Sequence, residues 1–192
     1  MKTSTSIDEE TPVRAAGVGG DWGASLTFDD IYQREFPFVW RCLSGLGVSP
    51  AALDDAAQDV FLVVHRQLIA FRGQSSLRSW LFGIVRNVAS NHRRLMRRKG
   101  HAVALPDDQP APAVAGPHEQ AQDAQAAAFV QKFLARISER KRDVFILAAI
   151  EGMTIPEVAA ALSIPLNTAY TRLRSVRADF QRALLRAQGV RP

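Results

Sequence analysis

Between residues 100 and 119 the chain reads GHAVALPDDQPAPAVAGPHE, with four prolines and two glycines among small residues. Such a stretch reads as an extended linker. The 192 residues are enough for one ordinary domain or two small ones, and the break favours two. On both sides of it apolar residues recur at helical spacing, and no strand-like alternation appears. The expected fold is all-α, with two small helical domains joined by a flexible linker. The expected boundaries are a flexible tail over 1–25, a first domain over 26–99, the linker over 100–118 and a second domain over 119–188.

Hydrophobic content of 47% with 22% charged residues is that of a soluble globular protein rather than a disordered one. The single cysteine, Cys42, has no partner for an internal disulfide, and no CxxC or Cys/His cluster suggests zinc. No metal or cofactor is expected. No run of about 18 apolar residues is present to span a membrane, and the polar N-terminus lacks an apolar signal core. A reducing, cytoplasmic setting fits best. The net charge of +5 favours a polyanionic partner, and its distribution says more. Residues 71–100 carry eight Lys or Arg and no acid; residues 100–131 carry four acids and no Lys or Arg; after Thr171 six arginines face one aspartate.

In the first unit, Thr27 and Asp30 have capping-box spacing. Phe28, Ile31, Tyr32, Phe36, Val39, Trp40 and Leu43 then follow at helical spacing, with Pro37 expected to kink or split the helix. After the turn GLGVSP, a second helix over 51–69 uses Ala57, Val60, Phe61, Val64 and Leu68 as its core face. Asp55, Gln58, Asp59 and Leu62 fall opposite. That acidic, partly apolar face suits a basic protein surface, although acids near a helix N-terminus are also favoured on an ordinary solvated face. The loop FRGQSS precedes a third helix over 77–97. It is expected to bury Leu77, Trp80, Leu81, Ile84, Val85 and Val88, turning Phe82, Arg86, Asn87, Ser90, Asn91 and Arg94 the other way. Amides, an aromatic ring and arginines without any acid suit a nucleic-acid backbone and unstacked bases.

In the second unit, DVFILAAI (143–150) is apolar nearly all round and is expected to be a central buried helix ended by Gly152. Thr154-Ile-Pro-Glu157 is a capping box with proline in the first turn. It opens a short helix with Ile155, Val158, Ala159 and Leu162 inward. After Ser163-Ile-Pro165 the last helix carries two stripes. Leu166, Ala169, Leu173, Val176, Phe180 and Leu184 are expected to pack. Asn167, Tyr170, Thr171, Arg174, Ala178 and Gln181 face out, with arginines at 172, 177 and 182 beside them. This is helix-turn-helix geometry, whose second helix offers its N-terminal side chains to base edges in the major groove.

These residues carry a resemblance. Asp55-x-x-Gln58-Asp59-x-Phe61, Phe71-Arg72-Gly73 and Ser79-Trp80-Leu81-Phe82-x-x-x-Arg86-Asn87 resemble region 2 of a bacterial sigma factor. Glu139-Arg140-Lys141-Arg142-x-Val144-Phe145 with the following helix-turn-helix resembles region 4. No region 1.1 or 3 is evident, a layout similar to the extracytoplasmic-function (ECF) group. The resemblance implies an initiation subunit of RNA polymerase, not an enzyme. It implies that Asp55, Gln58, Asp59 and Leu62 grip the beta-prime clamp helices of core polymerase, and that region 4 docks on the beta flap. It gives the −10 element of promoter DNA to Arg72, Gln74, Ser75, Arg78, Arg86, Asn87, Asn91 and Arg94. The −35 element falls to Thr154, Asn167, Thr168, Tyr170, Thr171, Arg172, Arg174, Ser175 and Arg177. An anti-sigma factor is a further implied partner. Tyr170 and Ser175 stand where many relatives carry basic residues, and Ser138-Glu139 replaces a frequent Leu-Pro pair. The alternative is a stand-alone helix-turn-helix regulator, which leaves the acid-free stretch and the Asp55/Gln58/Asp59 face unexplained. No HExxH, GxxxxGK[ST] or GxSxG motif supports an enzyme.

Overall fold

The computed structural model describes residues 27–71, 73, 75–98 and 117–188. The described residues form seven α-helices and no strand: α1 (Phe28–Gly45), α2 (Leu53–Gln67), α3 (Leu77–Arg98), α4 (Pro117–Arg136), α5 (Glu139–Phe145), α6 (Ile155–Leu162) and α7 (Leu166–Ala187). The expected tail over 1–25 and residues 100–116 of the expected linker lie outside the described residues.

α1 opens on the capping box read from the sequence. The Thr27 hydroxyl accepts the Asp30 amide at 3.2 Å, and the Asp30 carboxylate accepts the Thr27 amide at 3.3 Å. Pro37 does not split the helix, contrary to one of the two expectations for it. Pro37 and Gln33, whose carbonyl loses its amide partner, both lie on the solvent side, where water takes over the missing bond. α2 is flanked by 3-10 turns at Pro50–Ala52 and Leu68–Ala70, which together match the span expected for one helix. Before α3, Gly73 adopts φ +65°, a conformation other residues rarely take. The Ser76 hydroxyl accepts the Ser79 amide at 3.2 Å and caps α3.

Two expectations for α3 need correction. Phe82, read as outward-facing, is completely buried, and Trp80, read as core, is only half-buried against Phe71, with ring centroids 4.7 Å apart. The reason lies in the second unit. α6 packs on α3, and the Ser79 hydroxyl reaches the Glu157 carbonyl at 3.5 Å. Phe82 is one helical turn from both Ser79 and Arg86, which meet the second unit, so that contact widens the buried arc of α3 past Phe82.

In the second unit α4 begins at Pro117, where a missing amide hydrogen costs nothing. α5 runs on into a π-helical segment, Ile146–Ile150, which Gly152 closes at φ +67°. Val144, Phe145, Ile146 and Leu147 are buried, whereas Ala149 is exposed, so the segment is less completely buried than its composition implies. Phe129 and Phe133 of α4 and Phe145 of α5 cluster around Phe180 of α7, with centroids 5.7, 5.1 and 5.3 Å from it. Along α7, Ala169, Leu173 and Val176 are buried, but Leu166 and Leu184 are exposed. That corrects the expected packing stripe at both ends: a helix of 22 residues is about 33 Å long and overhangs the small unit beneath it.

The two units share one continuous apolar core. It runs from Phe38, Leu43, Val60 and Phe82 to Leu134, Ile146, Leu147 and Val158. At the junction α1 ends on Gly45, where a Cβ atom would lie 3.0 Å from Cδ1 of Ile146. Only glycine permits that approach without displacing the isoleucine side chain.

Candidate nucleic-acid and protein interfaces

The second unit presents a groove of about 590 Å³ between the start of α6 and the outer side of α7. Thr154, Tyr170, Arg174, Arg177 and Gln181 line it, over a floor that includes Met153, Ile155 and Leu173. Thus four residues assigned to the −35 element, Thr154, Tyr170, Arg174 and Arg177, come together. Asn167 and Thr171 are exposed on the first turns of α7, and Thr168, Arg172 and Ser175 are half-buried. The Thr171 hydroxyl donates to the Asn167 carbonyl at 2.8 Å.

Thr154 itself is engaged at the head of α6. Its hydroxyl and amide donate to the Glu157 carboxylate at 2.7 and 2.8 Å, and these bonds hold the Glu157 carboxyl below the usual glutamate range. Replacing Thr154 with alanine is expected to cost about 1 kcal/mol of stability. The sign of the pH dependence follows from a lowered folded-state pKa. The carboxylate's contribution is present above the ordinary glutamate range and is lost as pH falls through the lower folded value. Urea denaturation at neutral pH and again in acid checks this: the difference from wild type should shrink in acid.

On the first unit, α2 turns Asp54, Asp55, Gln58, Asp59 and Leu62 outward. Beside them lies an aromatic groove of about 580 Å³, lined by Phe28, Tyr32 and Phe36 of α1 and by Asp54, Gln58, Phe61, Leu62 and His65 of α2. Tyr32 is 43% exposed and Leu62 48%. The groove was missed in the sequence, where the α1 aromatics were read only as core, although their i, i+4, i+8 spacing marks one edge of the helix. Asp59 is also held by a residue of α3, since His92 Nε2 lies 2.8 Å from its carboxylate.

The acid-free side of α3 exposes Arg86, Asn87, Ser90, Asn91 and Arg94 in a continuous strip. Arg94 approaches the Asn91 side-chain oxygen at 3.4 Å. Ser75, in the loop before α3, is half-buried, and Arg72 and Gln74 lie outside the described residues. Arg78, also assigned to the −10 element, turns away from it. It pairs with buried Glu35 at 2.8 Å and lies over the Phe38 ring.

Three ion pairs among the described residues join the units, and each takes its arginine from the first unit and its acid from the second. Arg41 makes a two-pronged contact with Glu151 at 2.7 and 2.9 Å, and the Glu151 side chain has no exposed surface. Arg93 contacts Glu139 at 2.9 Å and also donates to the Leu46 carbonyl at 3.0 Å. Arg86 lies 3.8 Å from Asp143, whose carboxyl is pushed up by burial and held back by the Arg86 charge. Among the described residues no cluster of metal-ligating side chains is present, and no helix is long and apolar enough to cross a membrane.

Residues 31–99 match the family described as Sigma-70 region 2, and residues 130–185 match Sigma-70, region 4. The chain is similar to the RNA polymerase sigma factor NccH of Alcaligenes xylosoxydans xylosoxydans, with 27% identity covering 97% of this chain and 99% of that one. It is also similar to the ECF RNA polymerase sigma factor SigM of Mycobacterium tuberculosis, with 29% identity over 88% of this chain and 82% of the relative. Among solved structures, CnrH in complex with the cytosolic domain of CnrY superposes with a TM-score of 0.60 at 26% identity, covering 83% of this chain and 88% of CnrH. The sigma factor RpoE in complex with the anti-sigma factor NepR, from Bartonella quintana, shares the fold with a TM-score of 0.65 at 24% identity, over 82% of this chain and 96% of RpoE. With both characteristic regions matched in order, and with relatives aligned over nearly its whole length, the chain belongs to the sigma-70 family, in its extracytoplasmic-function group.

Proposed function

We propose that this chain is an alternative sigma factor that binds core RNA polymerase, recognises −35 and −10 promoter elements, melts the −10 element and so directs transcription initiation in response to a stress or envelope signal. The observation that carries this reading is the pairing of two unlike faces on adjoining helices. α2 shows carboxylates beside an aromatic groove, which fits a protein surface. α3 shows arginines and amides with no acid, which fits a single strand.

The division of labour follows from what each face offers. The groove between α6 and α7 reads duplex through side chains aimed at base edges. The α3 strip holds extruded bases and phosphates of the non-template strand, phosphate contacts setting register and bases giving sequence. Melting costs about 1.4 kcal/mol of stacking per step, more than a few exposed contacts on α3 repay. Polymerase docking through Asp55, Gln58, Asp59 and Leu62 therefore precedes melting. The protein acts in the cytoplasm, as a binding subunit with no reaction and no cofactor of its own. The solved complexes of CnrH with CnrY and of RpoE with NepR support an anti-sigma protein as a further partner.

Promoter selection from a random-sequence library with the reconstituted holoenzyme tests the reading. Two conserved blocks separated by a fixed spacer are expected. Arg86→Ala together with Asn87→Ala should erase the downstream block, and Arg174→Ala with Arg177→Ala the upstream one. The same enrichment by the free chain, without polymerase, would instead favour a stand-alone regulator.

A further inference from the structure

One contact crosses from α3 to the carboxylate face of α2. His92 Nε2 lies 2.8 Å from Oδ2 of Asp59, 33 residues earlier in the chain. An ionised carboxylate only accepts, so the imidazole donates and carries a hydrogen on Nε2. The two partners are unequally placed. His92 sits one turn beyond buried Val88 and Ala89, where α3 packs on α2, and its side chain is 17% exposed. The Asp59 side chain is 55% exposed. A ring fixed by packing thus holds a carboxylate that would otherwise turn freely on the helix surface. Asn91 and Arg94 face outward in the α3 strip, whereas His92 turns to α2.

Asp59 stands one helical turn from Asp55 and from Leu62 on the outward face of α2. A partner that docks on a mobile side chain must overcome the entropy of fixing it. A side chain already held loses less freedom on docking. A carboxylate offers about four lone-pair sites, so the bond to His92 leaves acceptors for a basic group of the partner. We propose that His92 is a positioning residue for polymerase docking, fixing the Asp59 carboxylate in the orientation in which it meets the polymerase. The inference rests on the reading of α2 as the polymerase face. His92 acts through Asp59 and not as a DNA-binding residue of α3.

Full-length chains carrying Asp59→Ala, His92→Ala, His92→Phe, His92→Gln and Asp59→Ala/His92→Ala are titrated against labelled core polymerase. Circular dichroism and urea denaturation first establish that each is folded. Asp59→Ala is expected to weaken binding by about tenfold. His92→Ala should weaken it by about fivefold, the effect of one more side chain to immobilise. In the Asp59→Ala background the same change should add nothing, because His92 then has no carboxylate to hold. His92→Phe keeps a ring in the site without a donor and should bind as weakly as His92→Ala. His92→Gln restores an N–H donor and should recover most of the loss.

Wild-type affinity for His92→Ala or His92→Phe, with Asp59→Ala weakened, overturns the inference and leaves the docking reading standing. An equal loss from His92→Ala in both backgrounds also overturns it, since the ring then supports packing alone. Tighter binding by His92→Ala overturns it as well, because the imidazole would then compete with polymerase for the carboxylate. Wild-type affinity for Asp59→Ala removes the docking role of Asp59 and overturns that reading and the inference together.

Discussion

Phe82→Ala is expected to lower the unfolding free energy by about 3–5 kcal/mol, the range for deleting a buried aromatic side chain. Typical domains are stable by about 5–15 kcal/mol, so this single change removes a large part of the total. The ring is completely buried in the second turn of α3 and belongs to the core shared by both units. Truncating it leaves a cavity in the core that both units share. Asn87→Ala, five residues along and exposed, is the matched control and should stay within about 0.5 kcal/mol of wild type. Urea denaturation of both variants checks the pair. A cost below about 1 kcal/mol for Phe82→Ala would mean that this side of α3 is not part of the packed core.

Leu62→Asp carries the second large effect, and on binding rather than stability. Leu62 is half-exposed at the rim of the aromatic groove, so a polar replacement disturbs little of the core. If polymerase docks on this groove as proposed, the same position becomes desolvated next to Tyr32 and Phe61. Apolar anchors in well-packed pockets dominate binding, often by 2 kcal/mol or more each. A carboxylate there must be buried without a partner, which adds to the loss. A decrease in affinity for core polymerase of about 100-fold is expected, corresponding to about 2.7 kcal/mol. Titration of labelled core polymerase with the two chains measures it. Tyr32→Ala should weaken binding in the same direction, because the groove needs its wall from α1. Equal affinities for Leu62→Asp and wild type would place the polymerase contact elsewhere.

Much of this architecture was legible in the sequence because helical periodicity reports what each helix buries against its own neighbours. The inward residues of α2 and of the turn that follows it, namely Ala57, Val60, Phe61, Val64 and Leu68, were read correctly. So were the capping boxes at Thr27 and Thr154 and the glycine stop at Gly152, since each depends on a few adjacent residues. The errors share another cause. Phe82 was read outward because spacing within α3 does not show that the core shared by both units extends past it. Arg78, given to the −10 element by the resemblance, also pairs with Glu35, 43 residues earlier, a partner that charge alone does not reveal. The pair of Arg41 with Glu151 spans 110 residues and leaves no local pattern in the chain. The outward faces of α2 and α7 came from helical spacing and their partners from the family resemblance, whereas the aromatic groove beside α2 came from the structure. It requires knowing that α1 lies against α2 with Phe28, Tyr32 and Phe36 along the shared edge.

The central claim is that this chain works as a subunit of RNA polymerase, and its most direct test is physical association. Purified chain mixed with core polymerase should co-elute from a sizing column as a stable complex. The Asp55→Ala/Gln58→Ala/Asp59→Ala variant, folded to the same helical content, should elute separately. If wild type and variant both fail to co-elute at low salt, the initiation-factor account is contradicted and a stand-alone helix-turn-helix regulator takes its place.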